Sequence, residues 1–210
     1  VVTTIGLGLA VALCATLLGL AVGYVVTRLA GAAWLTNTIA TLSFLPFLIP
    51  GVALGAAYIA MFAAPIGPIP ALYGTFAILV IAGAAYTLPF AAQSGRAAVG
   101  QIAGDVEEAA TMTGAGLARR LGRIVIPLSA RGLFAGAVLV FVKMVRDLSL
   151  VVLLVTPATP LLSVVTFRYA SEGFAQFATA ITVIIAAISV VATLLARRLE
   201  NAAQPWAEAR

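Results

Sequence analysis

Long runs of apolar residues alternate with short polar or proline-rich breaks along the whole chain. Five of these runs reach the length of about 20 residues that an α-helix needs to cross the hydrocarbon core of a bilayer. They cover residues 2–26, 38–63, 71–93, 129–153 and 174–196. The pattern therefore predicts an all-α fold, a polytopic membrane bundle of about five transmembrane helices.

The first run begins at Val1 and carries no charge before Arg28. It is too long for the hydrophobic part of a signal peptide and long enough to span a membrane. We therefore expect the chain to be truncated or to be the second half of a longer protein.

The second run is interrupted by prolines. Pro46 and Pro50, followed by Gly51, remove two backbone donors within about one helical turn. This pattern is compatible with a tolerated kink and with a discontinuous helix that lines a transport pathway. The residues alone leave both interpretations open.

Several runs contain glycines four residues apart, which allow two helices to approach closely. Because glycine and alanine are abundant throughout the chain, we expect these pairs to serve internal packing rather than a dedicated dimer interface. The pairs are Gly19 with Gly23, Gly51 with Gly55, and Gly132 with Gly136.

Composition excludes a water-soluble fold and indicates an orientation. The chain is 63% hydrophobic and 9% charged, with 12 Lys plus Arg against 7 Asp plus Glu. If the breaks alternate between the two sides of the membrane, one side has a single arginine, Arg168, and the other has nearly all the rest. We predict that the arginine-rich side is cytoplasmic, with the N-terminus outside and the C-terminus inside. Its arginines are Arg28, Arg96, Arg119, Arg120, Arg123, Arg131, Arg197, Arg198 and Arg210.

Several kinds of chemistry are excluded by counting. With no histidine and one cysteine, Cys14, the chain cannot build a His/Cys zinc site, a disulfide or a Ser-His catalytic unit. Its one lysine, Lys143, lies in an apolar context unlike a phosphate-binding loop. We therefore predict a non-catalytic protein without a metal, cofactor or nucleic-acid partner; if ATP drives it, another subunit binds the ATP.

The polar segment 105–123 predicts two short helices. Asp105 and Glu108 have capping-box spacing, and Gly114 is placed to end the first helix in a left-handed conformation. The second helix combines apolar and basic positions. An exposed helix with small alanines suits docking to a cytoplasmic partner, whereas an amphipathic connector resting on the membrane explains the arginines equally well.

The spacing within this segment resembles a known pattern. Glu108-Ala109-Ala110, three residues, Gly114, nine residues, Ile124, one residue, and Ile126-Pro127 resemble the Glu-Ala-Ala loop of permease subunits of binding-protein-dependent ABC importers. The one departure is Ile126, where the pattern prefers leucine, an apolar residue of similar volume.

This resemblance implies a type I ABC importer permease fold, with one transmembrane domain over residues 1–200 and a cytoplasmic tail over residues 201–210. Loop 105–123 would then be a cytoplasmic coupling-helix pair that docks on the ATPase subunits. The implied partners are these ATPases, a second permease subunit or half, an extracytoplasmic solute-binding protein and the lipid of the inner membrane. The implied coupling residues are Glu108, Ala109, Ala110, Gly114, Ile124 and Pro127.

A charged cluster interrupts the fourth run. Lys143, Arg146 and Asp147 would each cost on the order of 2.5–3.5 kcal/mol if buried unpaired in the membrane. Lys143 and Asp147 are four apart and could pair on a helix face. Either the embedded segment ends here and the cations reach the outer interface, or the cluster lines a translocation pathway together with Pro46 and Pro50.

A second resemblance suggests a branch of the family. Residues 141–154, followed by Thr156-Pro157, Leu162-Ser163-Val164 and Gly173, look like the permeases for iron(III), polyamines, thiamine and phosphonates, with Asp147 where that branch usually has glutamate. This branch makes iron(III) or a polyamine an expected solute. Two other classes compete: a stand-alone ion-coupled secondary transporter, and a membrane anchor subunit. We expect residues 161–172 to form a short outer helix or re-entrant piece.

Overall fold

A computed structural model describes residues 1–28, 33–65, 67–68 and 70–202, with the side chains of residues 200–202 excepted. Parts of two predicted breaks and most of the predicted tail, including Arg210, lie outside these ranges. The described chain is helical and contains no β-strand. Its helices are α1 (Val2–Arg28), α2 (Ala33–Leu48), α3 (Gly51–Phe62), α4 (Phe76–Gly100), α5 (Gly104–Met112), α6 (Leu117–Arg120), α7 (Ile126–Arg146), α8 (Leu162–Ser171) and α9 (Ala175–Ala202).

Helices α1 and α4 form the centre of the bundle and run parallel. Gly19 of α1 lies against Ala91 of α4, and Gly23 lies against Gly95. A methyl group added at Gly19 or Gly95 would collide with the backbone of the opposite helix. Because both residue numbers increase in the same direction along the contact, the two helices point the same way.

Helix α7 packs antiparallel to α4. Gly132 lies against Ala98, and Gly136 lies against Ser94, so the numbering decreases on one helix as it increases on the other. The third predicted glycine pair also packs internally, because Gly51 and Gly55 contact the segment that follows α7. All three pairs are thus used inside the protein, as the sequence predicted.

The second predicted span is a discontinuous helix. The chain bends by 104° between helices α2 and α3. Pro50 at the break has an extended conformation with φ −56° and ψ 135°. Since α1 and α4 are parallel, the chain between them must return from the end of the bundle where α1 stops to the end where α4 starts. The bent pair therefore carries the chain from one end of the bundle to the other as a discontinuous helix, so the kink interpretation is replaced.

Four further elements among the described residues are long and apolar enough to cross a membrane: α1, α4, the continuous segment Leu117–Arg146, and Ala175–Leu199. Together with the bent α2–α3 pair they make five candidate crossings. The crossing Leu117–Arg146 includes a π-helical turn at Leu121–Val125, so the second loop helix is joined directly to α7. Pro127 lies in the first turn of α7, where proline is well tolerated.

Three helix ends differ from the bounds of the second and third predicted runs. Helix α2 begins at Ala33 rather than residue 38, and α4 spans Phe76–Gly100 rather than 71–93. Residues just before α4 form a turn in which the amides of Leu72 and Tyr73 donate to the Phe62 carbonyl at 3.0 and 3.2 Å.

The predicted end of the fourth span was also wrong. Helix α7 stops at Arg146, and Asp147 turns the backbone to an extended conformation with ψ 134°. The following apolar residues form turns instead of continuing the helix, and Leu150, Val151 and Leu154 are fully buried in the core. Their apolar character reflects burial inside the protein rather than contact with lipid.

The ends of the bundle are distinguished by their short helices. Helices α5 and α6 follow α4 at one end, which we call the loop end. The amide of Leu162, the first residue of α8, donates to the Thr4 hydroxyl at 3.0 Å, so α8 begins at the opposite end, beside the start of α1. The short helix expected at residues 161–172 is present as α8.

Candidate functional sites

Lys143 lies at mid-depth of the bundle. Its Nζ is 4.3 Å from the centroid of the Tyr86 ring and 5.1 Å from that of the Phe90 ring. These two rings flank the midpoint of α4, a helix of 25 residues, so each is about 15 Å from an end. Lys143 therefore lies well inside the bundle rather than at one of its ends.

Two cavities meet at Lys143. The larger has a volume of about 500 Å³ and is lined by Phe90, Leu139, Val142, Lys143, Arg146 and Asp147. The smaller, of about 310 Å³, is lined by Phe47, Leu48, Ile49, Pro50, Gly51, Tyr86, Phe90 and Lys143. The second cavity therefore extends from Lys143 to the break in the α2–α3 span.

The structure brings most of the predicted pathway residues together. Lys143, Arg146, Asp147 and Pro50 all line one cavity or the other. Pro46 is not among the residues that line either cavity; it lies inside α2, and its carbonyl accepts from the Ile49 amide at 3.4 Å. Tyr86 and Phe90 were missed, although their spacing of four could have placed them on one helix face.

Asp147 is hydrogen-bonded to the turn that follows α7, and its interaction with Lys143 is a longer-range electrostatic one. Its Oδ2 accepts from the Leu150 amide at 2.9 Å, and the Tyr86 hydroxyl lies beside the carboxylate. The close ion pair that the spacing of Lys143 and Asp147 allowed is not formed between these two residues. The reason is geometric, because α7 ends between these residues and the spacing of a helix face no longer applies.

At the loop end, α5 stops at a left-handed glycine. Gly114 has φ +79°; its amide donates to the Thr111 carbonyl at 2.9 Å, and the Ala115 amide donates to the Ala110 carbonyl at 3.0 Å. This pair of bonds is a Schellman motif, which favours glycine at the left-handed position. The helix end predicted at Gly114 is therefore present.

The predicted start of this helix was wrong. Helix α5 begins at Gly104, with Ala103 in the capping position and no side-chain cap. Asp105 is thus within the first turn, where the helix dipole favours an acid, but it does not form the capping box expected with Glu108. The helix starts before Asp105 because the preceding residues already turn off α4 there.

The predicted coupling residues are mostly accessible. Glu108, Ala109, Gly114 and Pro127 are exposed, and Ala110 and Ile124 are half-buried. The Arg120 Nη1 donates to the Thr111 hydroxyl at 2.9 Å, which joins α6 to α5. The two loop helices therefore present a connected surface at this end of the bundle.

Glu107, which sequence reasoning did not single out, anchors α5 to the bundle. It is only 5% exposed; its Oε1 is 2.7 Å from Arg28 Nε, and its Oε2 accepts from the Tyr24 hydroxyl at 3.0 Å. Arg28 also donates to the carbonyls of Val99 and Ile102 at 3.3 and 2.6 Å. One acidic residue in α5 is thereby tied to the ends of both α1 and α4.

A cavity of about 810 Å³ adjoins this anchor, with Tyr24, Arg28, Glu107, Glu108 and Arg120 among its lining residues. Nothing in the sequence indicated which of the two adjacent acids, Glu107 or Glu108, is buried. The placement of Arg28 at the end of an apolar run was a hint, because a cation there must find a partner or water.

The fold is that of the transmembrane subunits of ABC importers. One similar solved structure is that of the MetNI methionine ABC transporter in inward-facing conformations, with a TM-score of 0.79, 16% identity, and coverage of 95% of this chain and 92% of that chain. Another is a bacterial ABC transporter involved in the import of the acidic polysaccharide alginate, with a TM-score of 0.69, 19% identity, and coverage of 95% and 78%. No curated protein gives a significant match.

Family membership follows from the sequence match. The family described as "Binding-protein-dependent transport system inner membrane component" matches residues 15–204. The chain belongs to this family and is a transmembrane permease subunit of an ABC importer.

Proposed function

We propose that this permease subunit carries its solute along the Lys143 cavities and is driven by a separate ATPase that docks on loop 105–123. The observation that carries the proposal is the meeting of two interrupted elements at mid-depth. The α2–α3 break and the end of α7 both face the cavities at Lys143. Irregular backbone is tolerated at membrane depth where it is buried in protein or lines a cavity.

The connection between loop and pathway supports coupling. Helix α6, the π-helical turn and α7 form the continuous segment Leu117–Arg146, which ends at the charged cluster. Helix α5 is held to α1 and α4 through Glu107 and Arg28. A displacement of α5 and α6 by a docked partner would therefore move the helices that line the cavities as rigid bodies.

In this proposal the subunit itself is non-catalytic, and ATP is hydrolysed by the partner. Loop 105–123 and the C-terminus face the cytoplasm, in keeping with the arginines on that side. A second permease subunit or half completes the pathway, and a solute-binding protein delivers from the opposite side. The solute belongs to the range of the branch that the sequence resembles, which includes iron(III), polyamines, thiamine and phosphonates.

The docking surface is tested by a matched pair of glycine variants. A methyl group added at Gly114 or Gly116 meets nothing within 4 Å, but Gly114 has φ +79° and Gly116 has φ −67°. Gly114→Val therefore strains the backbone by about 1–2 kcal/mol, whereas Gly116→Val does not. We expect Gly114→Val to lose most of the ATPase that co-purifies from detergent and Gly116→Val to retain it.

A pair of charge reversals provides the second test of the docking surface. Glu108→Lys reverses an exposed acid of the proposed docking surface, and Asp105→Lys reverses another exposed acid of the same helix. If Glu108→Lys loses the ATPase and Asp105→Lys retains it, the result supports docking at Glu108. If no ATPase co-purifies with the unmodified protein, the proposed docking of an ATPase on loop 105–123 is contradicted.

A further inference from the structure

The polar lining of the two cavities carries a net positive charge. Two cations, Lys143 and Arg146, and one acid, Asp147, line the larger cavity, and the smaller cavity adds no acid. All other lining residues are apolar, aromatic or proline and glycine. A solute in this space therefore meets an excess of positive charge within apolar walls, where electrostatic interactions are stronger than in water.

The one acid, Asp147, balances one of the two cations and leaves one positive charge in excess. The Asp147 carboxylate accepts from the Leu150 amide at 2.9 Å and interacts with the Tyr86 hydroxyl. These contacts hold the carboxylate toward the turn after α7, where it keeps its negative charge and interacts electrostatically with Lys143. Arg146 is exposed and forms no ion pair or hydrogen bond with any residue that the structure describes.

Lys143 has donors to spare. Its ammonium lies over the faces of Tyr86 and Phe90, which stabilise a cation without accepting conventional hydrogen bonds. A lysine ammonium has three N–H donors, and a charged side chain inside an apolar bundle faces protein, water or a ligand. The ammonium at the junction of the cavities is thus available to an incoming acceptor.

We propose that the paired cavities bind a small oxyanion, a solute with phosphonate-, phosphate- or carboxylate-type oxygens, through Lys143 and Arg146. The inference rests on the proposed function, because it names the solute class of the same pathway. Within the range of solutes of the resembling branch it selects an anion such as a phosphonate over a polyamine or uncomplexed iron(III), which the two cations would repel. A cavity of about 500 Å³ is of the size that holds small ligands.

The sign of the field at the cavity can be measured with charged thiol reagents. Leu139 lines the larger cavity, and Cys14 is the one native cysteine, so Leu139→Cys is placed in a Cys14→Ser background. The complex with its ATPase is reconstituted in liposomes and treated with two methanethiosulfonate reagents. One carries an anionic ethylsulfonate group and the other a cationic trimethylammonium-ethyl group. The rate of each reagent at Leu139→Cys is divided by its rate with free cysteine. We expect this normalised rate to be about tenfold higher for the anionic reagent than for the cationic one.

Substitutions assign that preference to its source. Lys143→Gln and Arg146→Gln should each reduce the preference severalfold, and Lys143→Arg should retain it. Arg123→Gln, at an exposed cation in the distant loop, should leave it unchanged. If Lys143→Gln does not assemble, Arg146→Gln and Lys143→Arg still decide the outcome.

Equal rates, a preference for the cationic reagent, or an anionic preference that survives Lys143→Gln and Arg146→Gln would each overturn the inference. The ATPase retained in the same vesicles is scored separately. An ATPase that stays bound without an anionic preference leaves the permease function standing and removes the anion site. An anionic preference without any bound ATPase supports the anion site while contradicting the proposed docking.

Discussion

At the scale of single residues, the ion pair between Arg28 and Glu107 makes the clearest prediction. Glu107→Gln removes the negative charge beside Arg28 Nε, 2.7 Å away, while retaining a group of the same size. A partly buried arginine left without its counter-charge should cost about 1–3 kcal/mol. We expect the thermal unfolding midpoint in detergent to fall accordingly.

Glu108→Gln is the control for this experiment. It makes the same chemical change at the next residue, where the side chain is exposed, and should change the free energy of unfolding by no more than about 0.5 kcal/mol. The double variant Arg28→Met with Glu107→Met should be more stable than the sum of its single effects indicates. Strictly additive losses would show that the pair does not hold α5 in place.

At the scale of elements, the crossing of α1 and α4 depends on the absence of side chains. A methyl group at Gly95 would collide with the backbone of Gly19, whereas one at Gly100, in the same helix, meets nothing within 4 Å. Gly95→Ala should therefore force the helices apart and destabilise the protein by about 1–3 kcal/mol. Gly100→Ala should alter the unfolding midpoint little, and equal effects at both positions would contradict the close packing.

The sequence predicted the crossings better than their boundaries. Apolar runs of spanning length identified the candidate membrane helices, and the glycine pairs identified places of close packing, because lipid exposure and close packing both leave a pattern in the residues. The end of α7 at Arg146 was not predictable, since Leu150, Val151 and Leu154 are buried by protein and are as apolar as residues facing lipid.

The candidate sites show the same limit. Lys143, Arg146 and Asp147 were identified because charges are rare in apolar runs, and Gly114 because its position suited a helix end. The contact of Lys143 with Tyr86 and Phe90 joins residues far apart in the chain, so no local pattern could reveal it. For the same reason the anchor at Glu107 could not be told from its neighbour Glu108.

At the scale of the whole molecule, the parallel arrangement of α1 and α4 determines the path of the chain. Gly19 lies against Ala91 and Gly23 against Gly95, so both helices end at the loop end. The α2–α3 pair, although bent by 104°, must then carry the chain across the bilayer. A re-entrant loop would return the chain to the side it came from and would leave α4 antiparallel to α1.

Single cysteines in a Cys14→Ser background test this topology with a membrane-impermeant maleimide. Ala33, at the start of α2, Tyr73, before α4, and Gln101, after α4, are all exposed. We expect Ala33→Cys and Gln101→Cys to be labelled in inside-out vesicles and Tyr73→Cys in intact cells. If the bent pair crosses the membrane, Ala33→Cys and Tyr73→Cys lie on opposite sides. Labelling of both from the same side would therefore show that the bent pair does not cross.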